Sequence, residues 1–208
     1  MKVVLFGASG MIGSRILKEL LGRDHQVTAV VRNPEKITAA GVKAVKGDIL
    51  DPACVAAVAQ GSEAAISAYA PPQGQEETLL AATRSLLTGL TAAGVQRLIA
   101  VNGAGSLEVA PGVQLVDTPQ FPQAWKQIAL AHREVLPILK ESSLEWSALS
   151  PAAFIQPGER TGKFRLGGTQ MVVDKQGESR ISAEDYAVAL VNELESPNHV
   201  RQQFTAAY

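Results

Sequence analysis

The stretch Lys2–Gly13, KVVLFGASGMIG, decides how the rest of the chain is read. Val3, Val4, Leu5 and Phe6 make an apolar run of strand length that stops at Gly7. From Met11 onward the apolar residues Ile12, Ile16, Leu17, Leu20 and Leu21 recur at helical spacing. A buried strand therefore passes into an amphipathic helix through Gly-Ala-Ser-Gly. In such a turn Gly7 permits the tight bend, Gly10 lets the backbone approach a ligand, and Gly13 lets the helix sit against the strand. Free amides and the positive end of the helix dipole then face an anion, and in this setting a dinucleotide pyrophosphate is the expected one. The spacing is G-x-x-G-x-x-G rather than G-x-G-x-x-G, and a glycine-rich turn that binds nothing has the same pattern. The strand before it, the helix after it and the second strand that follows favour a ligand.

Working outward, 208 residues suffice for one sizeable core, so one domain spanning 1–208 is expected. With 46% hydrophobic and 19% charged residues the composition is that of a folded globular protein, and no apolar run reaches the roughly 18 residues of a membrane span. The chain enters a strand at once, without the basic start and apolar centre of a signal peptide, so a cytoplasmic protein without a membrane partner is expected. A net charge of −1 argues against a nucleic-acid surface. Cys54 is the only cysteine, which excludes an internal disulfide and a cysteine-based zinc site; its neighbours Val55, Ala56 and Ala57 suggest a small buried residue in a helix.

Along the chain, strands alternate with helices. Gln26 to Val31 is a second strand that ends at Arg32-Asn33-Pro34, and Arg32 lies nineteen residues beyond Gly13, where dinucleotide folds place the residue that reads the adenosine ribose. An acidic residue there would repel a 2′-phosphate, whereas arginine pairs with it, which points to NADP(H) over NAD(H). An exposed arginine opening a polar loop is the alternative. Lys43 to Lys46 is a third strand, followed by Asp48 at the ligand-binding rim and by Asp51-Pro52, a helix start. Asp48 could accept a hydrogen bond from the adenine amino group or serve only the turn.

Glu63 to Ala70 reads as a fourth strand, whose small residues Ala68 and Ala70, with Tyr69 beside them, would let ribose and phosphates lie over its end. A long helix over Thr78 to Ala93, a strand over Arg97 to Val101 and the rim segment Asn102-Gly103-Ala104-Gly105-Ser106 follow. Residues 107 to 122 look irregular and form a candidate wall of a substrate pocket. A helix from about Pro122 to Glu141 carries His132 and Lys126, and Pro137 should kink or interrupt it. Leu144 to Ser150 is a sixth strand leading into Pro151, Ala152, Ala153 and Phe154. Arg160 to Asp174 looks like short strands or loop. Ser182-Ala183-Glu184-Asp185 has capping-box spacing and opens a helix to about Glu195, and Gln203 to Ala206 adds a final strand. His25 and His199 sit at turn-like positions and look structural.

The segments GASGMIG, VVRNPEK, KGDILD, AISAYAP and LEWSALSP together resemble atypical short-chain dehydrogenase/reductases, in particular the NAD(P)H-binding proteins similar to flavin reductase and biliverdin reductase type B. The resemblance spans nearly the whole chain. It implies a Rossmann-type α/β fold, a doubly wound parallel sheet of about six or seven strands with helices on both faces and substrate-side elements from 103–122 and 151–182. By the same likeness Gly7, Ser9, Gly10, Met11 and Ile12 would hold the pyrophosphate, Arg32 the 2′-phosphate, Asp48 and Ile49 the adenine, and Ala68, Tyr69 and Ala70 the central ribose. Asn102 would lie at the reacting end, and Pro151, Ala152, Ala153 and Phe154 against the nicotinamide.

One departure narrows the chemistry. Typical members of the wider superfamily use Tyr-x-x-x-Lys, but none of Tyr69, Tyr186 and Tyr208 has a lysine four residues later. Counted back from LKESSLEW, the place of the family lysine falls on His132. Hydride delivery to a ketone needs a proton donor, whereas a flavin or quinone spreads the added charge and needs mainly orientation. The expected function is an NADPH-dependent oxidoreductase acting on a flavin, quinone or similar small conjugated acceptor, as a monomer or homodimer and without a metal. His132 is the first catalytic candidate, with a core histidine as its alternative; Ser106 and Lys126 are weaker candidates. A redox sensor that binds NADP(H) without turnover, and a carbonyl reductase or epimerase using His132 as its acid, remain open beside it.

Overall fold

The structure is a computed structural model that describes residues 1–208. Its first half follows the expected alternation: β1 (Lys2–Phe6), α1 (Met11–Gly22), β2 (Gln26–Val31), β3 (Lys43–Lys46), α2 (Pro52–Ala59), β4 (Ala64–Ser67), α3 (Thr78–Ala93) and β5 (Arg97–Val101). A hairpin of β6 (Glu108–Ala110) and β7 (Val113–Gln114) precedes α4 (Gln123–Glu141) and β8 (Glu145–Pro151). Then come β9 (Phe154–Gln156), β10 (Arg165–Gly167), β11 (Arg180–Ser182), α5 (Ala183–Glu195) and β12 (Gln202–Ala207).

Eight strands form the central sheet in the order β10-β12-β8-β5-β4-β1-β2-β3, parallel except for β10. The expected count of six or seven is thus corrected to eight, because Arg165–Gly167 pairs antiparallel with the last strand, Arg165 opposite Ala207. Alternation along β1 explains the layers. Val3 and Leu5 enter a core of 24 buried residues shared with Ile16, Leu20, Tyr186 and Leu190 of α1 and α5. Val4 and Phe6 enter an opposite core of 21, shared with Val55, Leu86, Leu90 and Leu139 of α2, α3 and α4. A strand buried on both faces reads as a continuous apolar run, as VVLF does.

The chain moves outward from β1 to β3, then returns through α2 to β4 on the other side of β1. Direction of winding therefore reverses between β1 and β4, and such a switch point opens a crevice at the C-terminal ends of the strands.

Some local expectations are revised. β4 ends at Ser67 rather than Ala70, since Ala68–Ala70 leaves the ladder toward Pro71 after a last bond from the Ala68 amide to the Phe6 carbonyl at 2.9 Å. α4 runs unbroken through Pro137 to Glu141, with exposed Pro137 flanked by buried Leu136, Ile138 and Leu139. Residues 107–122 contain the β6–β7 hairpin and a 3-10 turn at Leu115–Asp117. Cys54 is half-buried in α2, its Sγ accepting from the Asp48 amide at 3.3 Å.

Candidate active site at the C-terminal rim

Gly7 has a φ of +79°, and a Cβ there would stand 2.4 Å from the Ala68 carbonyl oxygen. At Gly13 a Cβ would stand 2.1 Å from the Gly7 carbonyl oxygen. Both glycines are demanded by the chain's own packing. Gly10 differs: its φ of −75° suits any residue, and an added Cβ would meet nothing nearer than the Gly7 carbonyl oxygen at 3.4 Å. The space above Gly10 is thus left open by composition rather than by constraint. Behind it begins the twelve-residue helix α1, with no side-chain cap and with no acceptor in the chain for the Met11 and Ile12 amides. Open backbone, free amides and a helix dipole in the crevice at the switch point suit a diphosphate, so the residues present fit a dinucleotide.

Around this turn the other expected residues take their places along one rim. Ser9 and Met11 are exposed and Ile12 is half-buried. Arg32 follows β2, exposed and in no ion pair. Asp48, exposed, uses Oδ1 to accept from the Leu50 amide at 2.9 Å, while Ile49 beside it is buried. The Tyr69 hydroxyl is hydrogen-bonded to Thr78 Oγ1 at 3.1 Å, which fixes the ring next to Ala68 and the exposed Ala70. Asn102 extends the β5–β8 ladder, its amide donating to the Leu149 carbonyl at 2.9 Å.

Beyond the amide of Asn102, its side chain points into the protein. Asn102 Nδ2 donates to Ser106 Oγ at 3.3 Å and to Ser150 Oγ at 3.4 Å, and Gln203 Nε2 donates to the same two oxygens at 2.8 and 2.9 Å. Ser106 Oγ in turn donates to the Gly103 carbonyl at 3.0 Å. At 1% exposure Ser106 is a member of this buried network that fixes the Gly103 backbone, which corrects its place among the catalytic candidates. The Asn102 side chain is buried in the same network, with its Oδ1 left without a partner.

His132 packs against Gly103, whose absent Cβ would stand 2.8 Å from His132 Cβ. Its Nδ1 is buried without a hydrogen-bond partner, and burial pushes the ring's pKa down to about 4. The imidazole is therefore neutral over the physiological range, and Nε2 is the nitrogen left for exchange with a ligand. Each tyrosine hydroxyl has a partner within the protein, that of Tyr69 being Thr78. Tyr186 is fully buried, donates to the Leu149 carbonyl at 2.6 Å and is held well above the ordinary phenol range by burial. Tyr208 donates to Asp185 Oδ2 at 2.9 Å.

Pro151 and Ala152 are buried, Ala153 is exposed, and the Phe154 ring is 72% exposed. Phe154 and Arg180 are register partners in the parallel pair β9–β11, so their side chains share a face. They line a cleft of about 580 Å³ with Gly158, Thr161 and Tyr208. Sequence reading placed substrate-side elements in 151–182, which holds these residues apart from Tyr208, but singled out only Phe154 among them. Arg180, Thr161 and Tyr208 come from three segments with no shared motif, and only the fold brings them together. Lys126 lies half-buried near the start of α4. His25 and His199 are structural, bonded to Glu195 at 3.0 Å and Glu193 at 2.8 Å.

Comparison with known proteins agrees with this geometry. A family model described as NAD(P)H-binding matches residues 7–197. The uncharacterised protein YwnB of Bacillus subtilis is 40% identical, over 99% of this chain and 97% of its own. A solved structure from Burkholderia pseudomallei, described as a candidate exported protein, is 51% identical with a TM-score of 0.93 over all of both chains. Another, from Streptococcus pneumoniae and described as a candidate NADH-flavin reductase, is 32% identical with a TM-score of 0.90, covering 100% of this chain and 99% of that one.

Proposed function

The chain belongs to the NAD(P)H-binding family, and within it we propose an NADPH-dependent reductase that passes hydride to a flavin, quinone or similar conjugated acceptor. The observation that carries this reading is the setting of His132, packed against Gly103 with its Nδ1 buried and unpartnered; burial there pushes its pKa down to about 4 and leaves the rim without an imidazolium near pH 7. A carbonyl acceptor would need such an acid; a conjugated acceptor needs chiefly to be held against the ring that reduces it. The same observation weighs against an epimerase or carbonyl reductase that uses His132 as its proton donor.

When bound, the dinucleotide supplies the hydride. The chain's own residues would do the rest. The Met11 and Ile12 amides hold the pyrophosphate over Gly10, Arg32 pairs with the 2′-phosphate, and Asp48 and Ile49 border the adenine. Ala68, Tyr69 and Ala70 carry the ribose. His132 offers a neutral hydrogen bond near the reacting end, where Gly103 is fixed by Ser106. Pro151 to Phe154 lies alongside, and the adjoining cleft has the size of an ordinary small-molecule site, whose usual range is about 300–1,000 Å³. One relative's description as exported leaves the compartment open, and a cytoplasmic location is part of this proposal. No helix is long and apolar enough to cross a membrane.

Initial rates of NADPH and NADH oxidation with flavin mononucleotide or a quinone as acceptor test the reading. Turnover is expected with NADPH preferred, with that preference reversed in Arg32→Asp and with no step in rate near pH 6.5. Preference of the wild type for NADH would overturn the role of Arg32. Tight NADPH binding without turnover of any conjugated acceptor would leave the chain a sensor rather than an enzyme.

A further inference from the structure

One flank of α1 carries charges spaced four residues apart, Arg15, Glu19 and Arg23, and each reaches outside the helix. Arg15 Nε donates to Glu184 Oε1 at 3.1 Å, while its Nη1 donates to the Met11 carbonyl at 3.1 Å and to Ser14 Oγ at 3.2 Å. The other oxygen of Glu184 accepts from the Gly158 amide at 2.7 Å. One turn further along α1, Glu19 takes two bonds from Arg160, each 2.8 Å. Gly158 and Arg160 belong to the loop 157–163, which walls the cleft. The helix that presents its first amides to the diphosphate thus also grips that wall at two points.

We propose that Arg15 and Glu184 are positioning residues that couple the two halves of the site, so that a dinucleotide in the 7–13 turn tightens the 157–163 wall and an acceptor in the cleft tightens the hold on the dinucleotide. This rests on the reading of the turn as the cofactor site. Met11 is the link: its amide faces the diphosphate and its carbonyl receives Arg15. An anion that orders the first turn of α1 fixes that carbonyl and Ser14, hence the guanidinium, hence the Glu184 carboxylate that holds the Gly158 amide. Burial raises the Glu184 pKa, but the Gly158 amide and Arg15 outweigh it, so the carboxyl stays below its usual range and ionised at neutral pH. Coupling is reciprocal for equilibrium binding, and a factor of about five or more is the ordinary scale of such effects.

Hydrogen exchange of residues 157–163, followed by mass spectrometry with and without NADPH, reads the coupling without turnover. In the wild type NADPH is expected to slow exchange at Gly158, Thr161 and Gly162. In Arg15→Ala and in Glu184→Gln, which keeps an acceptor for the Gly158 amide but loses the ion pair, that slowing should vanish while free-state exchange elsewhere stays wild type. The acceptor KM should rise about fivefold in both variants, with the loss falling on KM rather than kcat. If NADPH binds but leaves loop exchange unchanged in the wild type, or slows it equally in both variants, the coupling is overturned and the cofactor site stands. Failure of NADPH to bind the wild type would overturn both.

Discussion

At the scale of single residues, the three glycines of the opening motif divide into two kinds. Gly7 and Gly13 are required by the backbone itself, since a Cβ at either would fall within 2.4 Å of a carbonyl oxygen. Gly10 is under no such demand, a Cβ there meeting nothing nearer than 3.4 Å. Gly13→Ala should therefore lower stability by about 1–3 kcal/mol, the usual cost of forced overpacking. Gly10→Ala should fold with a near wild-type urea midpoint and lose most of its NADPH affinity by calorimetry. If both variants bind NADPH as the wild type does, the turn is not the diphosphate site. Sequence spacing named all three glycines and gave each its own reason, but how strictly the backbone demands each one rests on φ and the position of Ala68, which are tertiary facts. The same limit applies to Ser106 and His132: both were picked out by place in the chain, yet the burial of Ser106 and the depressed pKa of His132 come from segments far away.

Among the elements, those with strong periodicity were legible to within a few residues. α3 spans Thr78–Ala93 as its leucine pattern requires, with Gly94 in a left-handed conformation after its end. Where local rules competed with burial, burial won. Pro137 was expected to kink or interrupt α4, but the buried residues around it carry the helix on past the missing amide to Glu141. The capping box at Ser182 is half made. Ser182 Oγ accepts from the Asp185 amide at 2.9 Å, while the Asp185 carboxylate turns instead to the Thr161 and Gly162 amides and to Tyr208. Its partner atoms lie more than twenty residues away in sequence, so no local pattern announces them. Because Pro137 is exposed and its ring cannot donate to the Arg133 carbonyl, Pro137→Ala should stabilise the protein by about 1–3 kcal/mol, a fraction of the ordinary cost of an interior proline. The gain should appear as a higher thermal midpoint; a drop would mean that the ring itself is packed.

For the whole molecule, the doubly wound sheet was legible because strands buried on both faces leave continuous apolar runs, whereas β10 was obscured by a short, exposed Arg-Leu-Gly segment. Four carboxyls on α1 and α5 bear on stability at low pH. Glu19, Glu193, Glu195 and Glu184 all have pKa values below the ordinary 4.5. For Glu19 the hydrogen bond from Arg160 is the main cause. For Glu193 burial raises the pKa and the bonds from His199, Asn198 and Ser147 outweigh it. Carboxyls depressed in this way contribute stability that is complete above about pH 4.5 and is lost as pH falls through their folded values. Urea midpoints should therefore stay level from pH 7 to 5 and fall steeply below about 4.5, with exchange rising first in α1 and α5. A steady decline beginning near pH 6.5 would assign acid sensitivity to the histidines instead.

Arg97 lies at the start of β5, where Nη2 meets Glu193 Oε1 at 3.0 Å and Nη1 meets the Glu145 carbonyl and Ser147 Oγ at 2.8 Å each. This buried cluster sits at the strands' opposite end from the 7–13 turn, a whole strand length away. The layout has a practical side for anyone redesigning the enzyme: the mouth can be recarved for a new acceptor while the keel, untouched at the far end, keeps the hull upright.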